Sequence, residues 1–114
     1  MSASEIIDKL TILDLKLKNI QDPDKLAHVQ KEKELLETQA PDVGPFRSLL
    51  YNINAILWDV EDQLRVLESQ NNFGSEFILL ARSVYFTNDL RSRVKTQISH
   101  IVGDSVKEVK SYVN

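Results

Sequence analysis

The side chains best suited to chemistry lie between Ser75 and Val102. A stripe can be followed there at three- and four-residue steps: Phe77, Leu80, Val84, Thr87, Arg91, Val94, Ile98 and Ile101. It is apolar except at Thr87 and Arg91, with Asn88 alongside. A guanidinium presents a planar fork of donors that matches a carboxylate or a phosphate. Arg91 can therefore anchor a small anion, with Asn54 and Asn88 as orienting groups and Arg82 or Lys95 in support. The competing reading is structural. A buried arginine is costly unless it is paired and hydrogen-bonded, so Arg91 would snorkel or bond an acid such as Asp14 or Glu61. The polar layer would then set the register of the helices, as polar positions do in coiled coils. We prefer the structural reading.

Other candidate groups are poorer. His28 and His100 are far apart, and neither sits in a helical pair with metal-ligand spacing. Asp59, Glu61 and Asp62 are close in sequence, but consecutive helical residues point in different directions. Asp62 is expected to pair with Arg65 or Arg82. The chain has no cysteine, which excludes disulfides, thiolate zinc sites and cysteine nucleophiles. Its three glycines are isolated, so no phosphate loop can form, and no nucleophile elbow or serine triad appears. No catalytic residue, metal site or cofactor is assigned.

A chain of 114 residues suits one domain, spanning 1–114. With 42% hydrophobic and 27% charged residues it has enough apolar surface to fold, unlike a disordered segment. A formal net charge of −3 gives no broad positive field, so nucleic-acid binding is not expected despite the patch at Arg82, Arg91, Arg93 and Lys95. No apolar run approaches a membrane span, and the charged N-terminus does not resemble a signal peptide. These features point to a cytoplasmic protein.

All glycines and prolines fall between runs of helical periodicity, and none of those runs alternates as a strand would. The expected fold is all-α: an antiparallel bundle of three long helices, the first kinked or broken near Pro23, plus a short C-terminal helix. Ser2 and Glu5 form a capping-box pattern ahead of the seam Ile6, Leu10, Leu13, Leu17, Ile20. Asp22 can cap a second segment, with Pro23 at its first position and a thin edge of Leu26, Val29 and Leu36 interrupted by Lys33. Residues 39–44 form a loop, and Gly44-Pro45 restarts a helix to about Gln70. Its wide core face carries Phe46, Leu49, Leu50, Ile53, Ile56, Leu57, Val60, Leu64 and Leu67. Residues 71–74 make a tight connector, with Ser75 as N-cap of the next helix. A turn near residue 72 pairs Val84 with Glu61, Asn88 with Leu57, and Arg91 with Asn54. Phe77 to Leu90 is apolar almost all round, which marks this helix as the centre of the bundle. Asp104 caps the final helix, carrying Val106, Val109, Tyr112 and Val113.

Opposite the core face of the second long helix, Tyr51, Ala55 and Trp58 recur at helical steps. Large aromatic residues on an outer stripe call for a cover, supplied either by a second copy of the chain or by the N-terminal helices. We favour self-association, as a dimer, through this stripe and the outer residues Leu79, Phe86 and Leu90. The function expected is a non-enzymatic helical interaction or assembly module. The alternative is a small-anion binder or helical enzyme around Arg91, Asn88 and Asn54.

Four blocks carry a resemblance: Glu5–Glu32 (EIIDKLTILDLKLKNIQDPDKLAHVQKE), Asn54–Arg65 (NAILWDVEDQLR), Phe77–Ile98 (FILLARSVYFTNDLRSRVKTQI) and Glu108–Tyr112 (EVKSY). Together they resemble a family of short, functionally uncharacterised bacterial and phage proteins, sometimes encoded beside or fused to sugar-transfer enzymes. The resemblance implies a cytoplasmic helical protein and brings no activity or catalytic residues. It places Trp58, Arg82, Tyr85, Asn88, Asp89 and Arg91 in the family's characteristic blocks. A weaker likeness, in architecture alone, is to the all-helical chorismate mutases, which bind a dicarboxylate with arginines and lysines. Here the first helix offers Lys9 and Lys16 but no arginine, and a shared architecture does not license a shared function.

Overall fold

The computed structural model describes residues 1–103, so the expected C-terminal helix from Asp104 lies outside the described residues. Four α-helices occupy most of that length: α1 (Ala3–Asn19), α2 (Pro23–Glu37), α3 (Pro45–Ser69) and α4 (Ser75–Val102). No strand occurs among the described residues, and the chain is all-α. None of these helices is long and apolar enough to cross a membrane.

The helix ends follow local chemistry. The Ser2 hydroxyl accepts from the Glu5 amide at 3.2 Å and caps α1. The chain breaks at residues 20–22, where the Asp22 carboxylate accepts from the Asp24 amide at 3.0 Å and Pro23 takes the first helical position. Gly44, ahead of α3, has φ +56°, a left-handed conformation that suits a residue without Cβ. α3 ends in a Schellman turn: the Asn72 amide bonds the Leu67 carbonyl at 2.9 Å and the Asn71 amide bonds that of Glu68 at 3.0 Å. Asn71 supplies the left-handed residue, at φ 52°. Ser75 does not cap α4. The cap position is Gly74, which lends no side chain, and Ser75 is the first helical residue.

The core gathers Ile7 from α1, Val43 from the loop, Leu50 and Ile53 from α3, and Val94 and Ile98 from α4. Ala40, Phe46 and Val102 pack against it. Leu49 and Ile56, expected on the core face of α3, are instead exposed, so that face is narrower than its apolar pattern. α1 packs against each of the other three helices, whereas α2 packs along α1 alone. The central helix is therefore α1, where the apolar composition of α4 had pointed to α4. The reason is length. At about 1.5 Å per residue α1 spans roughly 25 Å and α4 roughly 42 Å, so α1 covers only part of α4. The covered part is the C-terminal half, with buried Ser92, Val94 and Ile98. In the N-terminal half Ile78, Leu79, Tyr85 and Phe86 are exposed. The molecule is a slab of 45 × 43 × 22 Å, about two helix diameters thick, too thin to surround a helix on every side.

No residue of α2 is buried. It is held by the half-buried edge Leu26, Val29 and Leu36 and by ion pairs to α1: Lys33 with Asp14 at 2.7 Å and Lys9 with Glu32 at 3.9 Å. The lysine that interrupts the apolar edge is thus turned to an acid on α1.

Truncation should discriminate between the two ends of α4. Ile98 is 0% exposed and Leu79 66% exposed. Ile98→Ala should lower unfolding stability by about 2–5 kcal/mol, while Leu79→Ala in the dilute protein should change it by less than ~0.5 kcal/mol. Denaturant titration of both variants checks this, and comparable losses would contradict the assignment of the core.

Candidate functional site: a carboxylate shared by three helices

Arg91 does not pair with Asp14 or Glu61. Its partner is Asp8, on the face of α1 turned toward α3 and α4. Arg91 Nε donates to Asp8 Oδ1 at 3.0 Å, and Nη2 donates to Oδ2. Asn54 Nδ2, from α3, donates to the same Oδ1 at 2.9 Å and to Thr11 Oγ1 at 2.8 Å. The Thr11 hydroxyl donates in turn to the Asp8 carbonyl at 2.7 Å. Lys95 Nζ, one helical turn beyond Arg91, stands 4.0 Å from Asp8 Oδ2. One carboxylate on α1 therefore gathers side chains from α3 and α4.

Each member sits where its helix must put it. Arg91 and Lys95 are four residues apart and share one face of α4. On α1, Ser4, Asp8, Thr11 and Leu15 recur at 4-3-4 spacing, and all four are buried. That second stripe runs beside the apolar seam and was the available sequence signal for Asp8. Three of its members are small or polar, so the stripe does not stand out as a hydrophobic pattern.

The electrostatics fit a closed structural pair. The Asp8 side chain is 8% exposed and that of Arg91 30%. Hydrogen bonding to Asp8 holds the Arg91 guanidinium more firmly protonated than usual, with burial opposing and the Coulomb attraction of Asp8 assisting. The Asp8 carboxylate accepts from three nitrogens, so both of its oxygens are engaged within the chain. The group is built to hold position.

The remaining sequence candidates are dispersed. Asn88 and Arg82 are exposed, and no hydrogen bond or ion pair among the described residues joins them to Asp8. Tyr51, Ala55 and Trp58 are half-buried. Tyr51 lines an open groove of about 410 Å³ with Thr11 and Asp14 of α1 and Arg47, Ser48 and Asn52 of α3. Leu79, Phe86 and Leu90 are exposed. Asp14 bonds Lys33 at 2.7 Å and lies 4.0 Å from Arg47, while Glu61 and Asp62 lie beside Arg65 at 3.9 and 3.4 Å. His28 and His100 are exposed, and no group of three His, Asp or Glu among the described residues could hold a metal ion.

The match to a known family extends over the whole chain, residues 1–114. The protein belongs to DUF6165, a family of unknown function. No curated protein and no solved structure matches it. Membership in DUF6165 brings no activity with it, so function must be argued from the geometry.

A second charge pair lies at the C-terminal end of α2. The two Nη atoms of Arg47 donate to the two carboxylate oxygens of Glu37, one of them at 2.9 Å, tying α2 to α3. The Arg47 hydrogen bond holds the Glu37 carboxyl below its ordinary value of 4.5, against the opposing pull of partial burial.

Two predictions arise from these pairs. In a double-mutant cycle of Asp8→Ala and Arg91→Met, Asp8→Ala should cost about 3 kcal/mol, since it strands two cations against a mostly dry layer. The coupling between the sites should be about 1–3 kcal/mol, and additive losses in urea titrations would count against the pairing. For Glu37 the folded-state value is depressed, so its contribution is whole above pH 4.5 and lost as pH falls through the lower folded value. Glu37→Gln should flatten the stability profile in that acid window. At pH 7 it should cost only ~0.5–1 kcal/mol, because the pair is largely exposed to solvent.

Proposed function

We propose that this DUF6165 protein is a non-enzymatic helical assembly module that associates with copies of itself. The observation that carries the reading is the bare N-terminal half of α4, where Ile78, Leu79, Tyr85, Phe86 and Leu90 are about half exposed or more. Contiguous apolar patches of this size on a folded domain mark interaction surfaces. The half-buried stripe of Tyr51, Ala55 and Trp58 belongs to the same proposal as a lesser contributor, since α1 already lies beside Tyr51. We read the described helices as an antiparallel bundle, because the short links at 20–22 and 70–74 favour antiparallel neighbours. On the sequence resemblance alone we place the protein in the cytoplasm of bacteria or of phage hosts, beside sugar-transfer enzymes.

The alternative, a small-anion binder or chorismate-mutase-like enzyme, draws on one observation. Arg91 and Lys95 both attend a single carboxylate, which leaves one positive charge in excess. Against it, Asp8 occupies the arginine fork that an anion would need, and Asn54 is committed to Asp8 and Thr11. Neither Asn88 nor Arg82 is joined to the cluster. Assembly is the stronger reading.

Light scattering across a dilution series tests it. The wild type should be dimeric at micromolar concentration, and Phe86→Asp should weaken association by at least about tenfold, equivalent to ~1.4 kcal/mol. Tyr51→Asp and Trp58→Ala should have smaller effects. A wild type that stays monomeric at every concentration would overturn the proposal.

A further inference from the structure

The outward face of α4 carries more than apolar side chains. The inner line is Leu80, Val84, Thr87, Arg91, Val94 and Ile98, all buried or half-buried. At 100° per residue, Arg82, Asp89 and Arg93 fall along the middle of the opposite side. Ile78 and Tyr85 flank that charged line on one edge, and Leu79, Phe86 and Leu90 flank it on the other. The rings of Tyr85 and Phe86 stack at 4.3 Å in the centre.

The charges on this line find no partner among the described residues. Arg82, Asp89 and Arg93 are exposed and make no ion pair among the described residues. Arg82 and Asp89 are seven residues apart, about 10.5 Å along the axis, too far to meet each other. Even Arg93, one turn beyond Asp89, is not paired with it.

We propose that α4 is the interface with a second copy of the chain. The two α4 helices run antiparallel about a two-fold axis near Tyr85 and Phe86, and Arg82 of each copy pairs with the partner's Asp89. The proposal rests on the assembly reading and adds the surface, the orientation and the residues that select it. Charge complementarity identifies the occupant. Reversing the helix about the midpoint of residues 82 and 89 lays each charge within a turn of its opposite, twice by symmetry. A parallel pairing in register would set Arg82 against Arg82 and Asp89 against Asp89, which is repulsive.

The area also suits a dimer. Taking ~200 Å² for a large side chain, five of them half exposed offer on the order of 500 Å² per copy. The two copies together bury about 1,000 Å² before the stems of Arg82 and Arg93 are counted, the level at which a specific interface begins. Such an area predicts a reversible dimer.

Charge reversal tests the proposal. Arg82→Asp and Asp89→Arg, each alone, should weaken dimerisation by about tenfold or more in a sedimentation dilution series, and the double variant should recover to within ~3-fold of wild type. Circular dichroism of the dilute proteins should be unchanged, since both side chains are exposed. A dimer that neither single reversal weakens would overturn the α4 interface and leave the assembly reading standing, the more so if Trp58→Ala loosens it. Weakening by the single changes without recovery in the double would overturn the reciprocal pairing. A monomeric wild type would overturn both readings.

Discussion

The arrangement of α1, α3 and α4 depends on the Asp8 carboxylate. It accepts from Asn54 on α3 and from Arg91 on α4, so both are located against one residue of α1. A buried ion pair is a weak source of net stability, because desolvation of the two charges offsets their attraction. Its strength lies in what it forbids. Sliding α4 by one turn along α1 would leave Arg91 without its acceptor, and separating α3 would leave the Asn54 amide without both of its acceptors. Apolar contacts among Ile7, Leu50, Ile53, Val94 and Ile98 supply the driving force but tolerate several registers. The polar layer singles out one.

The rest of the bundle grades away from that point. α1 has eight buried residues and α2 none, although the two helices are similar in length. α2 is fastened by ion pairs that remain partly exposed, and pairs of that kind contribute little individually. It is therefore the helix with the least to lose on detaching, and its ion pairs, at Glu32, Lys33 and Glu37, all lie in its C-terminal half.

The four described helices, the break before Pro23, the cap at Ser2 and the Gly44-Pro45 restart were legible in the sequence, because each rests on chemistry within a few residues. Arg91 was recognisable as a charge that had to be paired, and the hairpin register brought Asn54 to the right level. The identity of its acid was not, since Asp8 is 83 residues away and the choice among Asp8, Asp14 and Glu61 depends on how α1 is rotated. Only the stripe Ser4, Asp8, Thr11, Leu15 carries that rotation, and its members look solvated when read for hydrophobicity. The role of α4 was misread for a related reason. An all-round apolar helix implies cover on every side, but the pattern says nothing of how long the covering helices are.

That mismatch of lengths links the fold to the proposed function. α3 and α4 are longer than α1, and no other described helix covers the outward side of α4. A chain selected only to fold as a monomer would carry polar residues on that side, as it does on the outer face of α2. Here that side instead alternates half-exposed aliphatic and aromatic residues with opposite charges seven positions apart. Apolar flanks exclude water from the space between two such helices, and a drier setting strengthens the attraction of the charges. The same charges penalise a parallel or slipped pairing. In the proposed dimer the charged line at Arg82 and Asp89 would repeat the device of the polar layer at Asp8, orienting two chains as that layer aligns helices within one.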